Sequence, residues 1–135
     1  QMVADVNGVR FFNDSKATNV GATLAAISGL SEVAILILGG QSKQQNFETL
    51  TEVIRQKIRT VILIGQDALI IKAAIEGTGV PVIEASSMAD AVHLSADIAE
   101  RDDLVLLSPA CASFDMFDDY IHRGDVYMEA VRSLI

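Results

Sequence analysis

The chain has 135 residues, half of them hydrophobic, with 10 Lys and Arg against 18 Asp and Glu, a net charge of −8. That length suits a single domain with a core of its own, and the composition excludes a disordered chain. The acidity argues against general nucleic-acid or anionic-membrane binding, no apolar run reaches the roughly 18 residues that span a bilayer, and the lone Cys111 excludes an intrachain disulfide or a Cys-rich metal site.

In chain order, Val9–Phe12 predicts the first strand. The polar segment Asn13–Asn19 follows, and Thr18 or Asn19 can cap a helix whose apolar Val20, Leu24 and Ile27 fall at i, i+4, i+7. Val33–Leu38 predicts a second strand, ending in Gly39-Gly40-Gln41-Ser42-Lys43. Phe47, Leu50, Val53 and Ile54 then recur on one helical face. Thr60–Ile64 and Val80–Ile83 are further strands. A helix carrying Met88, Ala91, Val92 and Ile98 comes next, with Ser87 and Asp90 as a capping box in which Asp replaces the usual Glu. Leu104–Leu107 is the last strand, and Tyr127, Ala130, Val131 and Leu134 mark a C-terminal helix.

Continuous β-branched runs, rather than alternating ones, denote strands buried on both faces. Strands alternating with helices predict a three-layer α/β domain: a mostly parallel sheet of about six strands, right-handed crossovers, and helices on both faces. One antiparallel strand is compatible with the pattern. With no signal-peptide pattern at its start, the chain is expected to be cytoplasmic.

Ligands of open α/β sheets bind beyond the carboxyl ends of the strands. Four segments fall there: Asn13–Asn19, Gly39–Lys43, Gly65–Asp67 and Ser108–Ser113. In the first, Lys16 supplies a cation, a helix N-terminus favours an anion, and Asp14 can accept from a ribose hydroxyl. The second is neither a Walker A loop nor a G-x-G-x-x-G fingerprint, but Lys43 is a second cation at the same edge. In the last, Ser113 is expected at a helix start, where it can donate to a carboxylate alongside free backbone N–H groups. Cys111, among small apolar residues and far from either histidine, reads as a buried structural thiol. Asp115, Asp118 and Asp119 read as a solvated helix face rather than a metal site, and His93 and His122 are too isolated to bind metal.

Taken together, Asn13-Asp14-Ser15-Lys16-Ala17-Thr18-Asn19, Leu38-Gly39-Gly40-x-x-Lys43, Leu107-Ser108-Pro109-Ala110-Cys111-Ala112-Ser113-x-Asp115 and Arg123-Gly124 resemble the C-terminal domain of the Mur ligases. The likeness runs along the whole chain and is greatest to the branch that adds D-glutamate to UDP-N-acetylmuramoyl-L-alanine in peptidoglycan synthesis. The resemblance implies a Rossmann-like domain that carries the incoming amino acid and closes over ATP. It also implies that the UDP-binding domain and the central ATPase domain, with its P-loop and Mg2+ ligands, lie outside this chain. An ATP-derived acyl phosphate on the acceptor would be attacked by the D-glutamate amine.

Carried over by motif, Asp14 would hold the ATP ribose and Lys16 would lie by the phosphates. Thr18, Lys43 and Ser113 would bind the D-glutamate carboxylates, with Phe114 and Tyr120 lining that pocket. The domain would then hold no metal, contribute positioning rather than bond-breaking groups, and be inactive alone. At Tyr120 the family more often has phenylalanine; tyrosine keeps the ring and adds a hydroxyl. The Gln41-Ser42 pair before Lys43 is variable in the family.

Two other readings come from the fold alone. A free-standing nucleotide or small-acid binding module would start near Gln1, whereas a ligase needs an upstream Gly-rich Lys-Ser/Thr loop; a start at Gln1-Met2 favours a fragment. A receiver-type signalling domain would need a phosphorylatable Asp after Thr60–Ile64, where Gly65 stands.

Overall fold

A computed structural model describes all 135 residues. Every predicted apolar run becomes a strand. The elements are β1 (Met2–Val6), β2 (Val9–Asn13), α1 (Val20–Ser28), β3 (Ala34–Gly39), α2 (Thr51–Lys57), β4 (Ile58–Ile64), α3 (Ala68–Ile75), β5 (Val82–Glu84), α4 (Met88–Ile98), β6 (Leu104–Leu107) and α5 (Tyr120–Arg132). Short 3-10 helices at Phe47–Leu50 and Glu76–Thr78 precede α2 and follow α3.

The six strands form one sheet in the order β1-β2-β6-β3-β4-β5, parallel except for the β1–β2 pair. The continuous apolar runs are explained by two cores. Leu36, Leu38, Val61, Leu63, Leu104 and Leu106 pack under α1, α2 and α3. Their neighbours in sequence, Ile35, Ile37, Ile62, Ile64, Val105 and Leu107, point the other way, toward α4 and α5. Residues 35–38, 61–64 and 104–107 of the three central strands are therefore apolar whichever face they take.

The apolar pattern does not mark strand β1, because Met2–Val6 is a half-exposed edge rather than an apolar run. The signal that finds it is Asn7-Gly8, with φ of 53° and 86°, a hairpin turn with positive φ at both positions. Asp5 Oδ1 accepts the Gly8 N–H at 2.9 Å and completes the turn. Helix α3 is a further element beyond those predicted, with Ala68, Ile71 and Ile75 burying one face of it. The Ser87 cap forms as expected, accepting from Asp90 N, but the Asp90 carboxylate reaches back to Ser86 N at 2.8 Å.

The topology fixes where a ligand can sit. The chain steps from β2 through β3 and β4 to β5 with helices on one face. Helix α4 then returns it across the other face to insert β6 between β2 and β3. Helices therefore leave β2 and β6 toward opposite faces, opening a crevice at their carboxyl ends.

Candidate functional site

Four loops meet at that edge and are laced by backbone hydrogen bonds. Asp14 N donates to Leu107 O at 2.8 Å, Ala110 N to Ala17 O at 2.9 Å, and Gly39 N to Pro109 O at 3.0 Å. Gln41 and Ala112 exchange a pair of bonds at 3.0 and 3.1 Å, and Asp67 N donates to Gly40 O at 3.1 Å. Gly40 and Gly65 touch backbone to backbone, since a Cβ on Gly65 would lie 2.6 Å from Gly40 Cα. The four loops are thus joined to one another through their own main chains.

The first loop is fixed from beneath by Arg123, which is 1% exposed. Its Nε donates to Ser15 Oγ at 2.9 Å, its Nη2 to Ser15 O at 2.6 Å, and its Nη1 to Cys111 O at 2.9 Å. Ser15 Oγ in turn donates to Tyr120 O at 2.6 Å. One buried guanidinium thus ties the Asp14–Lys16 turn, the loop after β6 and the start of α5. Burial pulls its pKa down to about 10, so it remains a cation at neutral pH, held by carbonyls and a hydroxyl. Arg123→Lys leaves at least one of those acceptors unpaired and is expected to destabilise the fold by about 2 kcal/mol. Thermal melting followed by circular dichroism reads this as a drop of several degrees; an unchanged Tm would contradict it.

The predicted site residues fall into two groups. Asp14, Lys16 and Tyr120 line a cleft of about 360 Å3 between the first loop and the opening turns of α5, together with Asn13, Ile121 and Asp125. Ser108 Oγ lies 3.2 Å from Asp14 Oδ2 and orients that carboxylate. Thr18, Lys43, Ser113 and Phe114 are not among the cleft's lining residues. They sit on loops joined to it by the Ala17–Ala110 and Gln41–Ala112 bonds. Thr18 and Lys43 are exposed, Phe114 is 64% exposed, and Ser113 is buried at 3%. Asn19 rather than Thr18 caps α1, accepting from Ala22 N at 2.9 Å, which leaves Thr18 unengaged in the cap.

The structure corrects two expectations here. Ser113 does not begin a helix: its carbonyl accepts from Met116 N and Phe117 N at 3.2 and 2.9 Å in a turn, and α5 starts at Tyr120. Three aspartates in the intervening segment favour turns and caps over helix interior. For the same reason Asp115, Asp118 and Asp119 do not form a solvated helix face. Asp119 caps α5 by accepting from His122 N at 2.8 Å, and Asp115 Oδ2 accepts from Gln66 N at 2.8 Å while its Oδ1 is buried without a partner. No three His, Cys, Asp or Glu side chains converge as a metal site requires. His122 packs edge-on against Phe117 at 5.6 Å.

Cys111 is fully buried, and burial pushes its thiol up to about 12, so it is not a nucleophile at neutral pH. Gln45, outside the four predicted segments, and Asp67, at the end of the third with no role assigned to it, bond across loops. Gln45 Oε1 accepts from Val20 N at 2.6 Å, and its Nε2 donates to Ser42 O and Ala110 O at 2.9 and 2.8 Å. Asp67 Oδ2 accepts from both Ser42 N and Ser42 Oγ, at 2.8 and 2.9 Å. Those donors hold the Asp67 carboxyl below its usual range, the backbone N–H most of all. Most of these partners are 25 or 65 residues away in the chain, so spacing carried no trace of them.

The family profile described as "Mur ligase, glutamate ligase domain" matches residues 1–111. Curated relatives named UDP-N-acetylmuramoylalanine–D-glutamate ligase include one from Cupriavidus metallidurans, 50% identical over 99% of this chain and 27% of its own length. Another, from Albidiferax ferrireducens, is 53% identical over 95% of this chain and 26% of its own length. The chain therefore spans about a quarter of the length of these relatives. Among solved structures, a domain of a Haemophilus ducreyi protein assigned as a UDP-N-acetylmuramate:L-alanyl-gamma-D-glutamyl-meso-diaminopimelate ligase superposes with a TM-score of 0.68. That match covers 100% of this chain and 98% of the other at 16% identity, which speaks to the fold alone.

Proposed function

The chain belongs to the Mur ligase family, as its glutamate ligase domain, and from that premise we propose that it serves a cytoplasmic ligase joining D-glutamate to UDP-N-acetylmuramoyl-L-alanine. The observation that carries this reading is the half-identity, along nearly the whole chain, to relatives that bear that activity in their name. In the proposed enzyme the UDP-binding and ATPase domains are contributed by chain outside these 135 residues, along with the Mg2+ ligands.

The division of the site into a cleft and a rim supports separate roles. Asp14 and Lys16, on the cleft, suit the ribose and phosphates of ATP: a carboxylate accepts from hydroxyls, and an ammonium faces an anion. Thr18, Lys43 and Ser113, on three laced loops, suit a dicarboxylate, which needs a cation and neutral donors held in fixed relation. Phe114 and Tyr120 add apolar surface, one on each side of that division. None of these groups makes or breaks a bond in the proposed reaction. The D-glutamate amine attacks an acyl phosphate on the acceptor, and the domain orients that amine.

The test pairs an activity assay with an NMR titration. The isolated domain given ATP, Mg2+, acceptor and D-glutamate is expected to form no product, while the full-length ligase carrying it does. In the full-length ligase, D-glutamate but not L-glutamate is expected to shift resonances of Thr18, Lys43 and Ser113–Tyr120. Turnover by the domain alone, or shifts elsewhere in the domain, would refute the reading.

A further inference from the structure

Lys43 stands at the tip of a four-residue turn, Ser42–Gln45, closed by Gln45 N donating to Ser42 O at 3.3 Å. Both central residues lie at positive φ, 50° at Lys43 and 61° at Gln44. Turns of that kind ordinarily select asparagine and glycine, because a Cβ crowds the backbone there. Neither central residue here is glycine, so the neighbouring structure must hold the turn in place.

The restraint comes from both shoulders. On one side Asp67 occupies the N-cap position of α3, yet its side chain makes no cap hydrogen bond. Its carboxylate instead takes the N–H and the hydroxyl of Ser42. An aspartate so placed ordinarily bonds to its own helix; here it faces the Lys43 turn. On the other side Gln45 uses its amide oxygen on the first N–H of α1 and its amide nitrogen on Ser42 O and Ala110 O. Ala110 is itself at positive φ, 62°. The tip between these anchors is exposed at Lys43 and Gln44, while Ser42 is buried.

We propose that Asp67 and Gln45 are positioning residues that fix the turn at Lys43 and so present its ammonium to the carboxylate of the incoming amino acid. This rests on the reading of Lys43 as a D-glutamate ligand. A long lysine on a free loop loses much rotamer and backbone freedom on binding, and a turn already locked at its base loses less.

The experiment is a double-mutant cycle in the full-length ligase, with steady-state kinetics for each substrate. Asp67→Asn is expected to raise KM for D-glutamate about tenfold while kcat and KM for ATP stay within about twofold. Gln45→Ala should follow the same pattern. In a Lys43→Ala background neither substitution should weaken D-glutamate use further, since the group they position is gone. A merely structural role would lower kcat, or act equally with and without Lys43, and either result overturns the proposal. If Lys43→Ala itself leaves KM for D-glutamate unchanged, the reading of Lys43 falls and this proposal with it. If instead Lys43→Ala is strongly impaired and Asp67→Asn is not, only the positioning role fails. Should Asp67→Asn not fold, Ser42→Ala, which removes the hydroxyl donor alone, reads the same coupling with a smaller effect, about threefold.

Discussion

Gly39→Ala is expected to destabilise the folded domain by about 4 kcal/mol or more. Gly39 ends β3 at φ +129°, and an added Cβ would collide with Ile64 O and lie 3.0 Å from Ile64 N. Those atoms are main chain of β4, the strand that pairs Gly39 with Ile64 in register, and Ile64 is buried beneath them. No flexible side chain can yield, so the strands must part or the carboxyl end of β3 must distort. Strained φ costs about 1–3 kcal/mol, and forcing atoms into packed backbone costs at least as much again. A total near 4 kcal/mol or more takes a large share of the roughly 5–15 kcal/mol that a domain has. Gly77→Ala is the control, since nothing lies within 4 Å of its built Cβ; its stability should change by under about 1 kcal/mol. Urea denaturation of both variants decides the matter, and a Gly39→Ala midpoint near that of the wild type would contradict the close contact.

Lys43→Ala in the full-length ligase is expected to raise KM for D-glutamate about 100-fold, near the upper end of what one charge-assisted contact supplies. KM for ATP should hold, because Asp14 and Lys16 line a separate cleft. Stability should hold too: Lys43 is exposed and makes no hydrogen bond or ion pair within the domain. Lys43→Arg should recover part of the loss by restoring the charge, though with a planar fork in place of a compact ammonium. An affinity change smaller than about threefold for Lys43→Ala would remove this residue from the proposed site.

At the amino-terminal end of the sheet an ion-pair cluster ties β4 to the loop before β6. Arg59 reaches Asp103 through two bonds, at 2.9 and 3.1 Å, and Glu100 at 3.3 Å. Asp103 is buried and raises the Arg59 pKa above its usual value. The candidate site residues gather at the other end because every parallel strand delivers its outgoing loop to the carboxyl edge, where those loops can converge.

The amino-acid sequence by itself determined the layer architecture, because a strand buried on both faces must be apolar at every residue, and Ile35–Leu38, Val61–Ile64 and Leu104–Leu107 are. It also carried the cap at Ser87, narrowed the α1 cap to Thr18 or Asn19, and marked the four motif segments, since capping and turn chemistry act within a few residues. Asn7-Gly8 was equally local and equally readable, although the strand it introduces is a half-exposed edge. The tertiary structure alone decided where α5 begins, how the site residues divide between cleft and rim, and which groups brace the loops. Arg123 meets Ser15 across 108 residues, and Gln45 meets Ala110 across 65. A side chain such as Gln45 or Asp67 has no periodic neighbour to reveal its partner. Its hydrogen bond exists only once the strand order has brought two distant loops to the same edge.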